Sequence, residues 1–355
     1  MKTNYDIKLG VSLYSYQDNY YFHRLDLDGC LAAAAGAGAE GIEVFSEMMI
    51  PEWPYVSDAW IDSWNAKMDR YGLNPVCMDH FADRQMWHDR VLTDDELFER
   101  STWFIKLAHR LGCTHIRLMH AAIMGEDCQT GWGLGYKLTT LPIVERLLPV
   151  AAENNIIMAM ECHSPTSIDS PDQVPYLEAA ERLGFSDYLG LQTDFGCYEY
   201  CLSTADLGQA VRMSGATEEI LTALREAQRK AYFSGEALDK EGVRAKLAEM
   251  GANPADLRII DRQLASTKPD SYQTLQEYAS RLVYAHGKFY DIDESGQVDN
   301  MDYPKILGAM QAGGYKGYIN SEFEGNRRMN DGGWCDEIEL VRKQHVLMRS
   351  CLGRE

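Results

Sequence analysis

The chain is 355 residues long, 45% hydrophobic and 25% charged, the composition of a folded enzyme and not of a disordered, collagen-like or disulfide-stapled polypeptide. Its 54 Asp and Glu against 34 Lys and Arg leave a formal net charge of −20, which argues against nucleic-acid and anionic-membrane partners because both need a cationic face. A neutral or phenolic small molecule, or a cation, suits such a chain better.

MKTNYDIKLG has no apolar signal core, and no uninterrupted apolar run approaches the roughly 18 residues of a membrane span, so a cytoplasmic protein is expected. The nine cysteines, irregularly spaced, read as reduced thiols. Cys197 and Cys201 form the one tight pair, at a spacing that does not suit a zinc knuckle.

Length alone admits two domains or one α/β barrel of roughly 250 residues enlarged by insertions. Along the chain a short apolar run, a polar loop, an amphipathic helix and a Gly recur. The predicted strands are Leu9–Tyr16, Gly41–Phe45, Pro75–His80, His115–His120, Ile156–Glu161, Leu189–Asp194, Leu282–Lys288 and Gly317–Glu324. Between them, Thr93-Asp-Asp-Glu96 reads as a capping box and Ser170-Pro171 as a second helix start. Gly72, Gly112 and Gly184 read as helix stops. Leu97, Ser101, Phe104, Ala108 and Leu111 step by three and four, a stripe that packs on a sheet.

Eight such units, with no glycine-rich phosphate loop, predict a single (β/α)8 TIM barrel over residues 1–355. The stretch between Asp194 and Leu282 is too long for one crossover. Residues 203–270 are therefore expected to be a helical insertion above the barrel mouth, read here as three helices.

A barrel interior is normally filled by apolar layers, so ionisable residues at strand ends point to a site on the C-terminal face. Strand five ends at Glu161 and strand six at Asp194, strand seven carries His286 and Lys288, and strand eight carries Glu322 and Glu324. Glu161, Asp194, His286 and Glu322 lie at matching depth, three oxygens and one nitrogen suited to a divalent ion. Manganese is the first choice, with cobalt, magnesium or zinc as alternatives. Alternation aims His286 with Lys288, and Glu322 with Glu324, to one side, leaving Lys288 and Glu324 beside the ligands as substrate contacts. His80, His120 and His163 are the histidines near strand ends that offer proton transfer or substrate orientation. Arg117 and His120, an odd number of residues apart, should face opposite ways.

Asp291 to Asp302 matches an EF-hand calcium loop, with Gly296 at the sixth position. A strand leads into it where a helix is usual, and its twelfth residue is Asp, so the expectation is a strand-to-helix loop with Asp302 near the helix start.

HGKFYDID on strand seven and SEFEG on strand eight resemble the xylose isomerase-like barrels of the sugar phosphate isomerase/epimerase superfamily. The resemblance spans essentially the whole chain and implies that Glu161, Asp194, His286 and Glu322 hold a divalent ion, usually manganese, with Glu161 and Glu322 also moving protons. Within that superfamily, LGVSLYSYQDNYYFHRLDLDGCLAAAAGAGAEGIEVF and EFEGNRR…EIELVRKQH look most like the large subunit of bacterial C-glycoside deglycosidases. Such a resemblance implies cleavage of the bond between a 3-oxo-sugar and a flavonoid-type aglycone, in a hetero-oligomer with a small β-sandwich-like beta subunit. The long insertion departs from the compact 3-epimerases.

The chemistry is consistent with elementary principles. A ketone at sugar C3 acidifies the C2 proton, and a divalent ion would stabilise the resulting enediolate. Glu161 or Glu322 would be the base, His120 or His163 the acid that protonates the departing aryl carbon, and Lys288 an added positive charge. Reprotonation of the same enediolate would instead give a ketose or inosose epimerase or isomerase. A sugar-binding barrel that has lost its metal is the non-enzymatic alternative.

Overall fold

Eight parallel strands close on themselves in sequence order: β1 (Lys8–Ser12), β2 (Gly41–Val44), β3 (Asn74–His80), β4 (His115–Leu118), β5 (Ile157–Cys162), β6 (Leu189–Asp194), β7 (Leu282–Phe289) and β8 (Tyr318–Phe323). This computed structural model describes residues 6–82, 90, 92–118, 141–163, 167–266 and 269–354. The barrel closes through β1 against β8, where Leu9 pairs with Ile319 and Val11 with Ser321.

The helices pack their apolar stripes on the outer face of this barrel. The helix Asp94–Arg110 begins at the Thr93–Glu96 capping box and buries Leu97, Ser101, Phe104 and Ala108. Full burial of a side chain such as Phe104 contributes roughly 1.5–3 kcal/mol. Gly72 and Gly184 end their helices in the left-handed conformation, at φ +64° and +79°. A side chain there would clash with its own backbone, which is why glycine serves at both stops. Ser170 does not start an α-helix directly; Pro171–Gln173 forms a 3-10 turn and the α-helix runs over Val174–Leu183.

The first strand is shorter than predicted. Leu13–Tyr16 turns into a buried 3-10 helix, because Ser15 Oγ donates to Ser321 O at 2.9 Å and accepts from Phe323 N at 2.9 Å. These bonds tuck the segment under the end of β8.

Among the described residues of 203–270 the chain forms four α-helices, Thr204–Ser214, Glu218–Ser234, Lys240–Glu249 and Pro254–Ala265. The last three share a small core of Ile220, Leu224, Leu247, Ile260 and Leu264. The first, capped by Ser203, was not among the three helices read from the sequence. Tyr272–Tyr278 then packs beside Tyr303–Ala312 and restores the barrel's own rhythm.

The loop after β7 spends its acids internally. Asp293 Oδ1 accepts from Ser295 N, Ser295 Oγ and Gln297 N. Asp299 Oδ2 accepts from Thr204 N and from Arg225. Asp302 caps the next helix at Lys305 N. This is the expected strand-to-helix loop, with its carboxylates turned to protein donors and not toward a common centre. Among the described residues no helix is long and apolar enough to cross a membrane.

Candidate metal centre

Register alone brings the strand ends together. Asp194 pairs directly with His286, and Lys288 with Glu322, so neighbouring strands deliver these side chains at the same height. Glu161 pairs with Gln192, two residues below Asp194. As a result Glu161, Asp194, His286 and Glu322 each present a ligand atom, all within 4.8 Å of one another. All four residues are buried.

The cluster is densely paired. His286 Nδ1 lies 2.9 Å from Glu161 Oε1 and 3.2 Å from Glu322 Oε2. Lys288 Nζ lies 2.9 Å from Asp194 Oδ2, 3.0 Å from Glu322 Oε2 and 3.5 Å from Glu324 Oε1. Gly196 N donates to Asp194 Oδ1 at 2.6 Å and Arg117 Nη1 to Glu161 Oε2 at 2.9 Å. Gly196 and Arg117 thus each tie down one oxygen of Asp194 and Glu161, while Asp194 Oδ2, Glu161 Oε1 and Glu322 Oε2 face the Lys288 and His286 cations.

Burial by itself would raise the Glu161 carboxyl, but the Arg117 charge and the His286 contact overcome it and hold the group at about 2. Glu322 is held well below the usual carboxylate range in the same way, burial being outweighed by His286 and Lys288. Burial disfavours charge on His286 and Lys288 too, yet the surrounding carboxylates push both well above their ordinary values. The protein therefore holds a set of anions offset by its own cations.

These residues fit a divalent ion. Three carboxylates and an imidazole are a hard-to-borderline donor set. Asp194 Oδ2 and Glu322 Oε2 are buried and face positive charge, but neither accepts a hydrogen bond of normal geometry. Inward-facing oxygens of that kind are what an ion would satisfy.

Other predicted residues lie at varying distances. His163, just beyond β5, is partly exposed at the mouth, its Nε2 3.7 Å from Asp194 Oδ2. Glu324 accepts from Tyr14 OH at 3.3 Å and sits beside Lys288. Both line a cavity of about 400 Å³ that opens from Asp194 and Lys288 toward Arg262 and Gln263 of the insertion. His120 lies outside the described residues.

His80 does not reach the site. Its ring stacks on Phe104, centroids 3.8 Å apart, and its Nε2 lies 2.9 Å from Ser101 Oγ, both on the helix outside the barrel. Alternation explains the correction, because Asp79 faces inward and its neighbour must face out. Burial, then the charges of Arg100 and Arg117, press His80 well below its usual range.

The sequence reading missed a charged layer directly beneath the ligands. Glu43, Asp79 and Arg117 are buried in the barrel interior, where apolar side chains were expected. Arg117 forms ion pairs with both Asp79 and Glu161. Asp79 is raised to about 8, burial outweighing the Arg117 charge. Glu43 Oε2 lies 3.0 Å from His286 Nε2, and Ser12 Oγ donates to Glu43 Oε1 at 2.6 Å. The available signal was a lone carboxylate in the otherwise apolar strand GIEVF and a lone Arg in HIRL.

Residues 31–201 match the family described as xylose isomerase-like TIM barrel. The C-glycoside deglycosidase alpha subunit of Arthrobacter globiformis is 29% identical, over 98% of this chain and 92% of its own length. The 3'-dehydrocarminate deglycosidase alpha subunit of a Microbacterium species is 27% identical, over 98% of this chain and 95% of its own. Among solved structures, D-psicose 3-epimerase in the presence of D-fructose aligns with a TM-score of 0.57 at 12% identity, covering 98% of this chain and 99% of that one. The IolI protein with a bound zinc atom aligns with a TM-score of 0.55 at 12% identity, covering 98% of both.

Proposed function

We propose that this chain, matched over residues 31–201 by the xylose isomerase-like TIM barrel family and similar over nearly its whole length to deglycosidase alpha subunits, cleaves the carbon–carbon glycosidic bond of 3-oxo-C-glycosides. The near-complete coverage of those alpha subunits carries the reading. The name of those relatives also supports a small beta subunit as partner. A cytoplasmic location agrees with cysteines that, among the described residues, are not joined in disulfides.

Glu161, Asp194, His286 and Glu322 are the residues that would hold manganese or a similar ion. Such an ion would supply a Lewis acid to the oxygens of the 3-oxo-sugar. The protein's own residues divide the remaining work. The inward carboxylate oxygen of Glu161 or Glu322 takes the C2 proton. The C1–aryl bond then breaks with its electron pair passing to the aryl carbon, leaving a C1–C2 double bond in the sugar. His163, at the cavity edge, or His120 returns a proton to that carbon. Lys288, between Asp194 and Glu322, adds positive charge where the oxyanion develops. Glu324 and Lys288 would contact the sugar, and the cavity beneath Arg262 would take the aglycone.

Incubation of the manganese-loaded protein and its small partner with a 3-oxo-C-glucosyl flavonoid should release free aglycone. No release from a protein that binds metal would overturn the reading. Incorporation of solvent deuterium into a free ketose or inosose, without release, would instead support epimerase or isomerase chemistry from the same proton transfer.

A further inference from the structure

His286 is gripped on three sides. The ring of Tyr284 stands edge-on to it, centroids 5.6 Å apart at 72°. Nε2 meets both oxygens of Glu43, at 3.1 and 3.0 Å. Nδ1 faces Glu161 Oε1 and Glu322 Oε2. Glu43 is itself oriented by Ser12 Oγ, from the residue it pairs with across β1 and β2.

A neutral imidazole carries one N–H, and an ionised carboxylate only accepts hydrogen bonds. Without an ion, an imidazolium gives an N–H to the carboxylates at each nitrogen. An ion that takes the place of the Nδ1 proton among Glu161 and Glu322 leaves the one remaining N–H on Nε2, where both oxygens of Glu43 stand to accept it. Metal-bound histidines usually give their second N–H to such an outer group, which fixes both tautomer and ring orientation.

We propose that Glu43, supported by Ser12, is a positioning residue that holds the Nε2–H of His286 and thereby commits Nδ1 to the metal ion. The assignment rests on the metal reading of the site above. It places an essential part of the centre on β1 and β2, outside the four strands that would supply the ligands. Glu43 touches neither the ion nor the substrate; it acts through His286.

Two measurements test this without relying on turnover. In zinc-loaded wild-type protein labelled with 15N-histidine, the His286 signal, assigned by its loss in His286→Asn, should show Nε2 protonated and Nδ1 bound to metal. Manganese affinity, measured by competition with a fluorescent chelator, should fall about 10- to 100-fold in Glu43→Ala. Zinc bound through Nε2, or a Glu43→Ala protein within twofold of wild type, overturns the role of Glu43. Should the variant fail to fold, the wild-type spectrum still decides. Absence of any metal binding by the wild type sinks the metal reading itself, which is a distinct result.

Discussion

Lys288 Nζ stands 2.9 Å from Asp194 Oδ2, so an ammonium occupies the edge of the carboxylate set that is suited to a divalent ion. Cation and ion would share the same oxygens. Replacing Lys288 by Gln should therefore tighten manganese binding by about 1–2 kcal/mol, because Asp194 and Glu322 keep more of their charge for the ion. The metal-free variant should at the same time unfold at a lower temperature, its acids having lost a counter-charge. Chelator competition and thermal melts check both; weaker manganese binding by K288Q would contradict this picture.

Metal removal should destabilise the protein. An ion present at about 100 times its dissociation constant stabilises the native state by about 2.7 kcal/mol. Treatment with a chelator should lower the melting temperature and abolish activity, and added manganese should restore both. In Asp194→Asn the melting temperature should no longer respond to manganese. A full response in that variant would exclude Asp194 as a ligand.

Arg117 is expected to be structural first. It is buried and pairs with both Asp79 and Glu161, and because Asp79 is raised to about 8, Arg117→Met chiefly leaves the buried Glu161 carboxylate without its arginine, at a cost of about 3–5 kcal/mol. Urea unfolding of the metal-free protein measures the loss. Adding Glu161→Gln should recover part of it, since the stranded charge is removed. Strictly additive losses would show that the two residues are not energetically linked.

His345 should make stability depend on pH. Burial, then the charge of Arg349, holds it at about 4, although Nε2 contacts Gly10 O at 3.1 Å. Its unfolded value is about 6.5. A depressed histidine contributes stability that is complete above the unfolded value and is lost as pH falls toward the folded one, here over the range from about 6.5 to about 4. The full contribution is on the order of 3 kcal/mol. Urea midpoints of His345→Gln should fall less steeply than those of the wild type across that range, and parallel slopes would refute the assignment.

The barrel was legible because its signals are local. β6 matches its predicted bounds, and the capping box at Thr93 and the stops at Gly72 and Gly184 appear where the residues require them. Three helices of the insertion were also visible as amphipathic patterns, whereas Thr204–Ser214, which buries only Ala205, was not. His80 was misjudged because a position at a strand end says nothing of the face it presents. Only its parity with Asp79 does.

What the sequence determined by itself was the set of strand ends and therefore the four residues that could hold a divalent ion. Parallel strands of a closed barrel share a common height, so Glu161, Asp194, His286 and Glu322 converge whatever the loops do. What only the tertiary structure decided was the layer beneath them. Glu43 and His286 are separated by 243 residues, and Arg117 and Glu161 by 44. No periodicity links such positions. Their pairing depends on barrel closure, which brings side chains from distant strands into one water-excluded interior where each buried charge must find its partner.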